Sequence, residues 1–131
     1  MLSENNLHLM CIQWFYMKYS NTTAILHHSP NENSKGDTIT MIKYNTKMKR
    51  LGRLNGYPDI TIFYKGQVLL IELKSEKGIL SPAQKELFKK FYENNWDVHI
   101  VRTLDNFIEI VENFVKIIDT YAKNRVDISE K

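Results

Sequence analysis

The chain has 131 residues, which implies one domain around one core. With 43% hydrophobic and 25% charged residues it falls in the ordinary range of soluble globular proteins, and a formal charge of +3 permits an anionic partner without demanding one. A single cysteine, Cys11, excludes a disulfide framework and a Cys-rich zinc site. It favours a reducing, intracellular compartment.

Leu7, Met10, Cys11, Trp14 and Phe15 recur at helical spacing behind Ser3, a good N-cap, so residues 4–20 are predicted to form an amphipathic helix. This opening segment is too polar at its start for a signal peptide, and no stretch reaches the roughly 18 apolar residues of a spanning helix. A cytoplasmic protein without membrane contact is expected. Thr22 to Leu26 is a short strand candidate ended by His28-Ser29-Pro30-Asn31, and residues 29–37 are a polar loop by composition. A second, more basic helix is predicted from Thr38 to about Leu51, with Met41, Met48 and Leu51 as its core-facing residues.

Residues 58–64 and 67–74 are rich in β-branched and aromatic side chains and are separated only by Lys65-Gly66, the pattern of a tight hairpin. Ile60, Ile62, Leu69, Ile71 and Leu73 fall on one face of this hairpin, and Phe63, Val68 and Leu70 on the other. Strands apolar on both faces belong in the middle of a sheet covered by helices on two sides. Ser81-Pro82-Ala83-Gln84 has the form of a capping box with Pro at the first helical position. The helix it opens should bury Leu87, Phe88 and Phe91 and stop near Asn94-Asn95. Val98 to Val101 is a further strand. Phe107, Val111, Phe114 and Ile118 define a last helix ending near Ala122. The expected organisation is one domain over 1–123 and a flexible tail over 124–131. The predicted order is α-β-α-β-β-α-β-α, an α/β fold with a mixed four-stranded sheet flanked by helices.

The hairpin brings chemistry together. If Lys65-Gly66 is a two-residue loop, Tyr64 pairs with Gln67, and counting outward sets Asp59 opposite Glu72. Opposed residues have Cβ atoms roughly 4.5–5.5 Å apart, and Lys74, two residues on, points to the same face as Glu72. Two negative charges about 5 Å apart repel by roughly 3 kcal/mol at an effective dielectric of 20. Lys74 offsets part of this, and a hard divalent cation such as Mg²⁺ offsets it fully. Such an ion lowers the pKa of its water and polarises a phosphoryl oxygen, which suits phosphodiester hydrolysis. The plainer alternative is a solvated salt-bridge cluster at a strand end.

Five strings arranged in order carry a more specific resemblance. They are Glu4 in the first helix, Pro30-Asn31, Gly56-Tyr57-Pro58-Asp59, Ile71-Glu72-Leu73-Lys74 and Leu80-Ser81-Pro82-Ala83-Gln84. Together they resemble the VRR-NUC (virus-type replication-repair nuclease) branch of the PD-(D/E)XK nuclease superfamily over roughly residues 4–104. The chain departs from the pattern at Tyr57, where many relatives carry a smaller residue. It departs again at Glu32-Asn33-Ser34-Lys35-Gly36, where they carry a Gly-rich or Arg-bearing segment.

The resemblance implies a catalytic set of Asp59, Glu72, Lys74, Gln84 and Glu4. Its implied metal ligands are Asp59, Glu72, the backbone carbonyl of Leu73 and Glu4, directly or through water, with Mg²⁺ as the ion and Mn²⁺ as a substitute. Glu4 is equally explained as a charge complementing the helix dipole, and Gln84 by its capping role. Lys43, Lys47 and Arg50 share a helical face, with Lys49 and Arg53 nearby. They form either a solvated face or, with Asn31, a set of DNA contacts that position the backbone without reading sequence. His27 and His28 have at most a substrate-facing role. His8 and His99 are read as structural or surface residues.

The function expected is metal-dependent endonucleolytic cleavage of DNA. The resemblance implies branched substrates such as Holliday junctions, a homodimer, and work in replication, recombination or repair, while a Lys-, Asn- and Ile-rich composition suits a bacterial, phage or viral host cell. Two competitors stand beside it: a non-catalytic DNA-binding scaffold that keeps a nuclease fold, and a sequence-specific restriction-type endonuclease.

Overall fold

The computed structural model describes residues 2–30 and 38–129. Its elements follow the predicted order: α1 (Glu4–Tyr19), β1 (Ile25–His28), α2 (Thr38–Arg50), β2 (Ile60–Tyr64), β3 (Gln67–Leu73), α3 (Pro82–Glu93), β4 (Val98–Val101) and α4 (Leu104–Ser129). The strands form one sheet in the order β1-β2-β3-β4. The first three are antiparallel, and β4 joins β3 in parallel after the α3 crossover. Among the described residues no helix is long and apolar enough to cross a membrane.

The hairpin turn has positive φ at both central residues, 45° at Lys65 and 80° at Gly66, which matches the twist of the flanking strands. Tyr64 pairs with Gln67 and Ile60 with Ile71, so the register is the one counted from the sequence. On one face Ile60, Ile62, Leu69, Ile71 and Leu73 meet Leu7, Cys11 and Phe15 of α1 and Phe107 and Val111 of α4. Each fully buried Leu, Ile or Phe contributes about 1.5–3 kcal/mol relative to exposure. On the other face Leu70 and Val98 pack on Phe88 of α3, with Leu87 and Phe91 beside them.

Three local expectations are corrected. The first strand starts later than Thr22, because the Thr22 hydroxyl donates to the Tyr19 carbonyl (2.7 Å) and accepts from the Ala24 N–H (3.2 Å), making a turn. Pairing with β2 then carries the strand on through His28. The last helix continues to Ser129 rather than ending near Ala122, since no Gly or Pro interrupts it. Finally, no side chain of α2 is buried. Met41 and Met48 are half-buried and Leu51 is 70% exposed, because α1, α3 and α4 already close both faces of the sheet.

Candidate metal centre and catalytic cluster

Asp59 stands one residue before β2, where its carbonyl accepts from the Ser29 N–H across 2.9 Å and ties the exit of β1 to the entry of β2. Its carboxylate Oδ2 accepts from the Leu73 N–H at 2.8 Å. The side chain thus reaches across the open end of the hairpin toward Glu72, its register partner. Pro58 before it is buried, and Gly56 (φ 79°) lies so close to the start of α3 that a Cβ there would meet Gln84 N at 2.8 Å. Only glycine lets the Asp59 loop seat against α3 at this distance.

Glu72 is 1% exposed, on the central strand β3. Its Oε2 accepts from Gln84 Nε2 at 2.9 Å and lies 3.5 Å from Lys74 Nζ. Its Oε1 is buried and has no hydrogen-bond partner among the described residues. Burial first, and then the neighbouring Asp59 carboxylate, push the Glu72 carboxyl up to about 8, against the lowering effect of Lys74. Glu4, in the first turn of α1, completes the group. One carboxylate oxygen from each of Glu4, Asp59 and Glu72 lies within 4.8 Å of the others.

Three converging carboxylates, one with a bare buried oxygen, repel one another and leave an acceptor unsatisfied. A small divalent cation that takes oxygen ligands answers both costs, so the donor set fits a hard metal ion such as Mg²⁺.

Gln84 performs two jobs at once. Its Oε1 accepts from the Ser81 N–H (2.9 Å) and its own N–H donates to Ser81 Oγ (3.2 Å), completing the capping box, while Nε2 grips Glu72. The capping role read from the sequence is present, and the same side chain reaches Glu72. Lys74 follows β3, its N–H donating to the Val101 carbonyl at 3.0 Å, and its side chain is 12% exposed.

Elements remote in sequence therefore bring Glu4, Asp59, Glu72, Lys74 and Gln84 together. The residues expected to contact DNA divide. Arg53 lines a cleft shared with Lys74 and Gln84, whereas Lys43, Lys47 and Arg50 are exposed on α2 and do not line it. Asn31 lies outside the described residues. Tyr57 packs edge-on against Phe91, with ring centroids 6.0 Å apart.

One neighbour escaped the sequence reading. His8 is half-buried, its ring 4.4 Å from that of His28 and edge-on to it, while His28 Nδ1 lies 3.2 Å from the Asp59 carbonyl oxygen. Burial, then the charge of His28, lower the His8 pKa, and Asp59 opposes them. The available signal was the four-residue spacing from Glu4 to His8, which puts both on one helical face. His99 of β4 pairs in register with Ile71 of β3.

Solved structures share this fold, among them two described as VRR_NUC domains. A "VRR_NUC domain protein" aligns with a TM-score of 0.66 over 88% of this chain and 89% of its own length, at 24% identity. A "VRR_NUC domain" aligns with a TM-score of 0.51 over 85% of this chain and 97% of its own, at 12% identity. Comparisons with protein-family models and with curated proteins give no match. The chain shares the fold of these VRR_NUC domains over most of its length.

Proposed function

We propose that the protein belongs to the VRR-NUC family and is a Mg²⁺-dependent DNA endonuclease, with Mn²⁺ as a working substitute, that cuts branched DNA as a homodimer inside the cell. The observation that carries this reading is the Glu72 carboxylate, buried with a bare Oε1 beside Asp59 and Glu4 and flanked by Lys74. A carboxylate cluster that runs from exposed Glu4 to buried Glu72 accommodates a cation, and a nuclease fold supplies the context in which that cation serves catalysis. Glu4, Asp59, Glu72 and the Leu73 carbonyl would hold the ion. When bound, it supplies Lewis-acid polarisation of a phosphoryl oxygen and acidification of attacking water.

The chain's own groups do the rest. The Leu73 N–H fixes the Asp59 carboxylate and Gln84 Nε2 fixes that of Glu72, so both are oriented before substrate arrives. The Lys74 ammonium, beside Glu72 Oε2, stabilises negative charge developing on the phosphate. The lysines of α2 and Arg50 hold flanking phosphates.

Purified protein incubated with linear duplex, flap and four-way junction DNA, in Mg²⁺, Mn²⁺ or EDTA and beside Lys74→Ala, tests the reading. Junction or flap cutting that disappears in EDTA and in the variant supports it. Metal-independent binding without cutting favours the scaffold, and cutting at one sequence of linear duplex favours a restriction-type enzyme.

A further inference from the structure

The cleft beside the carboxylates has a volume of about 690 Å³, and its lining carries two cations, Lys74 and Arg53, and no carboxylate. The lining itself thus offers an anion two cationic partners, one of them, Lys74, already beside Glu72. The Arg53 guanidinium donates to Asn45 Oδ1 at 3.0 Å and lies 6.0 Å from the centre of the Tyr44 ring, so the charge is held in place at the rim. Ile79, Leu80 and Pro82 contribute apolar lining to the same cleft.

Ile79 is 81% exposed, yet its loop is firmly built. Arg102 Nη1 donates to the carbonyls of Ser75 (2.7 Å), Glu76 (3.2 Å) and Gly78 (2.7 Å). The Gly78 N–H returns to the Ser75 carbonyl at 3.0 Å. One guanidinium following β4 thereby fixes the segment that joins Lys74 to Ser81. An aliphatic side chain presented to solvent on so constrained a loop, in a lining shared with two cations, gives the cleft apolar and cationic groups together.

We propose that this cleft is a nucleotide subsite. It takes the nucleotide adjoining the scissile phosphate, with phosphate toward Lys74 and Arg53 and sugar and base against Ile79, and Arg102 is the positioning residue for that wall. The inference rests on the nuclease reading for its substrate.

Binding of a fluorescent four-way junction in Ca²⁺, followed by anisotropy, tests the subsite, and cleavage by the wild type in Mg²⁺ separately tests the nuclease reading. Ile79→Ala should weaken binding about five- to tenfold through lost apolar contact, and Ile79→Asp more, by charge as well. Ile79→Leu should recover most of the affinity. Ile117→Ala, an equally simple truncation on the exposed surface of α4, should change nothing. Arg102→Gln should weaken binding in the same direction, and combining it with Ile79→Ala should cost less than the two separate losses together, because one acts through the other. Wild-type affinity in both Ile79→Ala and Ile79→Asp, or full additivity with Arg102→Gln, would overturn the subsite while leaving the nuclease reading intact. A wild type that binds with the predicted Ile79 dependence but never cuts would overturn only the latter.

Discussion

Gln84 Nε2 donates to Glu72 Oε2 across 2.9 Å, so the residue that closes the capping box of α3 also holds the buried carboxylate of β3. Helix start and candidate metal site are one structure, and a change to either is felt by both.

Substitution weighs the two jobs against each other. Gln84→Ala removes the acceptor for the Ser81 N–H and the donor to Glu72, so it should cost about 1 kcal/mol of stability and about 10- to 100-fold in metal affinity or activity. Gln84→Glu keeps the capping acceptor but sets a fourth carboxylate against Glu72. Although it keeps the cap, it should melt no higher than Gln84→Ala and lose as much activity or more, because repulsion from buried Glu72 outweighs the cap. Thermal melts alongside Mg²⁺ titrations of cleavage check this ranking.

Two glycines with almost the same φ give a second test. Gly66→Ala (φ 80°) meets nothing within 4 Å and should pay only the left-handed penalty of about 1–2 kcal/mol. Gly56→Ala (φ 79°) adds a clash with the α3 backbone at 2.8–2.9 Å. It should be the more destabilising of the pair and should also lower activity, because the Asp59 loop moves off α3. Denaturant midpoints and cleavage rates of the two variants distinguish these outcomes.

The metal-free protein should lose stability as pH rises. Burial and Asp59 raise the Glu72 carboxyl from 4.5 to about 8, so between these values the folded state binds more protons than the unfolded one. That contribution is complete below 4.5 and is lost as pH climbs through about 8. His8, its pKa lowered, works in the opposite sense, costing stability as pH falls through its ordinary 6.5. Glu72→Gln isolates the first effect: without metal at pH 8 it should melt about 4 °C or more above the wild type, with the difference vanishing toward pH 4. Because Mg²⁺ needs the ionised carboxylate, it should raise the wild-type melting temperature more at pH 8 than at pH 6. Melting curves over this range, with and without Mg²⁺, give the answer.

Much of this was legible in the sequence, for local reasons. The Lys65-Gly66 turn determines the hairpin register, and register alone sets Asp59 against Glu72. Ser81-Pro82-Ala83-Gln84 announces a helix start through caps that act within four residues. What stayed hidden depends on contacts distant in the chain. The bare Oε1 of Glu72 and the grip of Gln84 require α3 to fold back beside β3. His8 meets His28 only because β1 runs beyond its predicted end to pair with β2. Arg102 looks like any surface arginine until three loop carbonyls converge on it. Leu51 misled in the other direction, since its spacing fits a core face, but α2 buries no side chain.

The central claim is that Glu4, Asp59 and Glu72 hold a divalent ion, and direct Mn²⁺ binding at pH 8, by calorimetry or by loss of the free-ion paramagnetic resonance signal, tests it without reference to cleavage. The wild type should bind Mn²⁺ and compete it off with Mg²⁺. Asp59→Asn and Glu72→Gln should each weaken binding at least about tenfold while remaining folded. Equal Mn²⁺ affinity in the wild type and both folded variants would contradict the account.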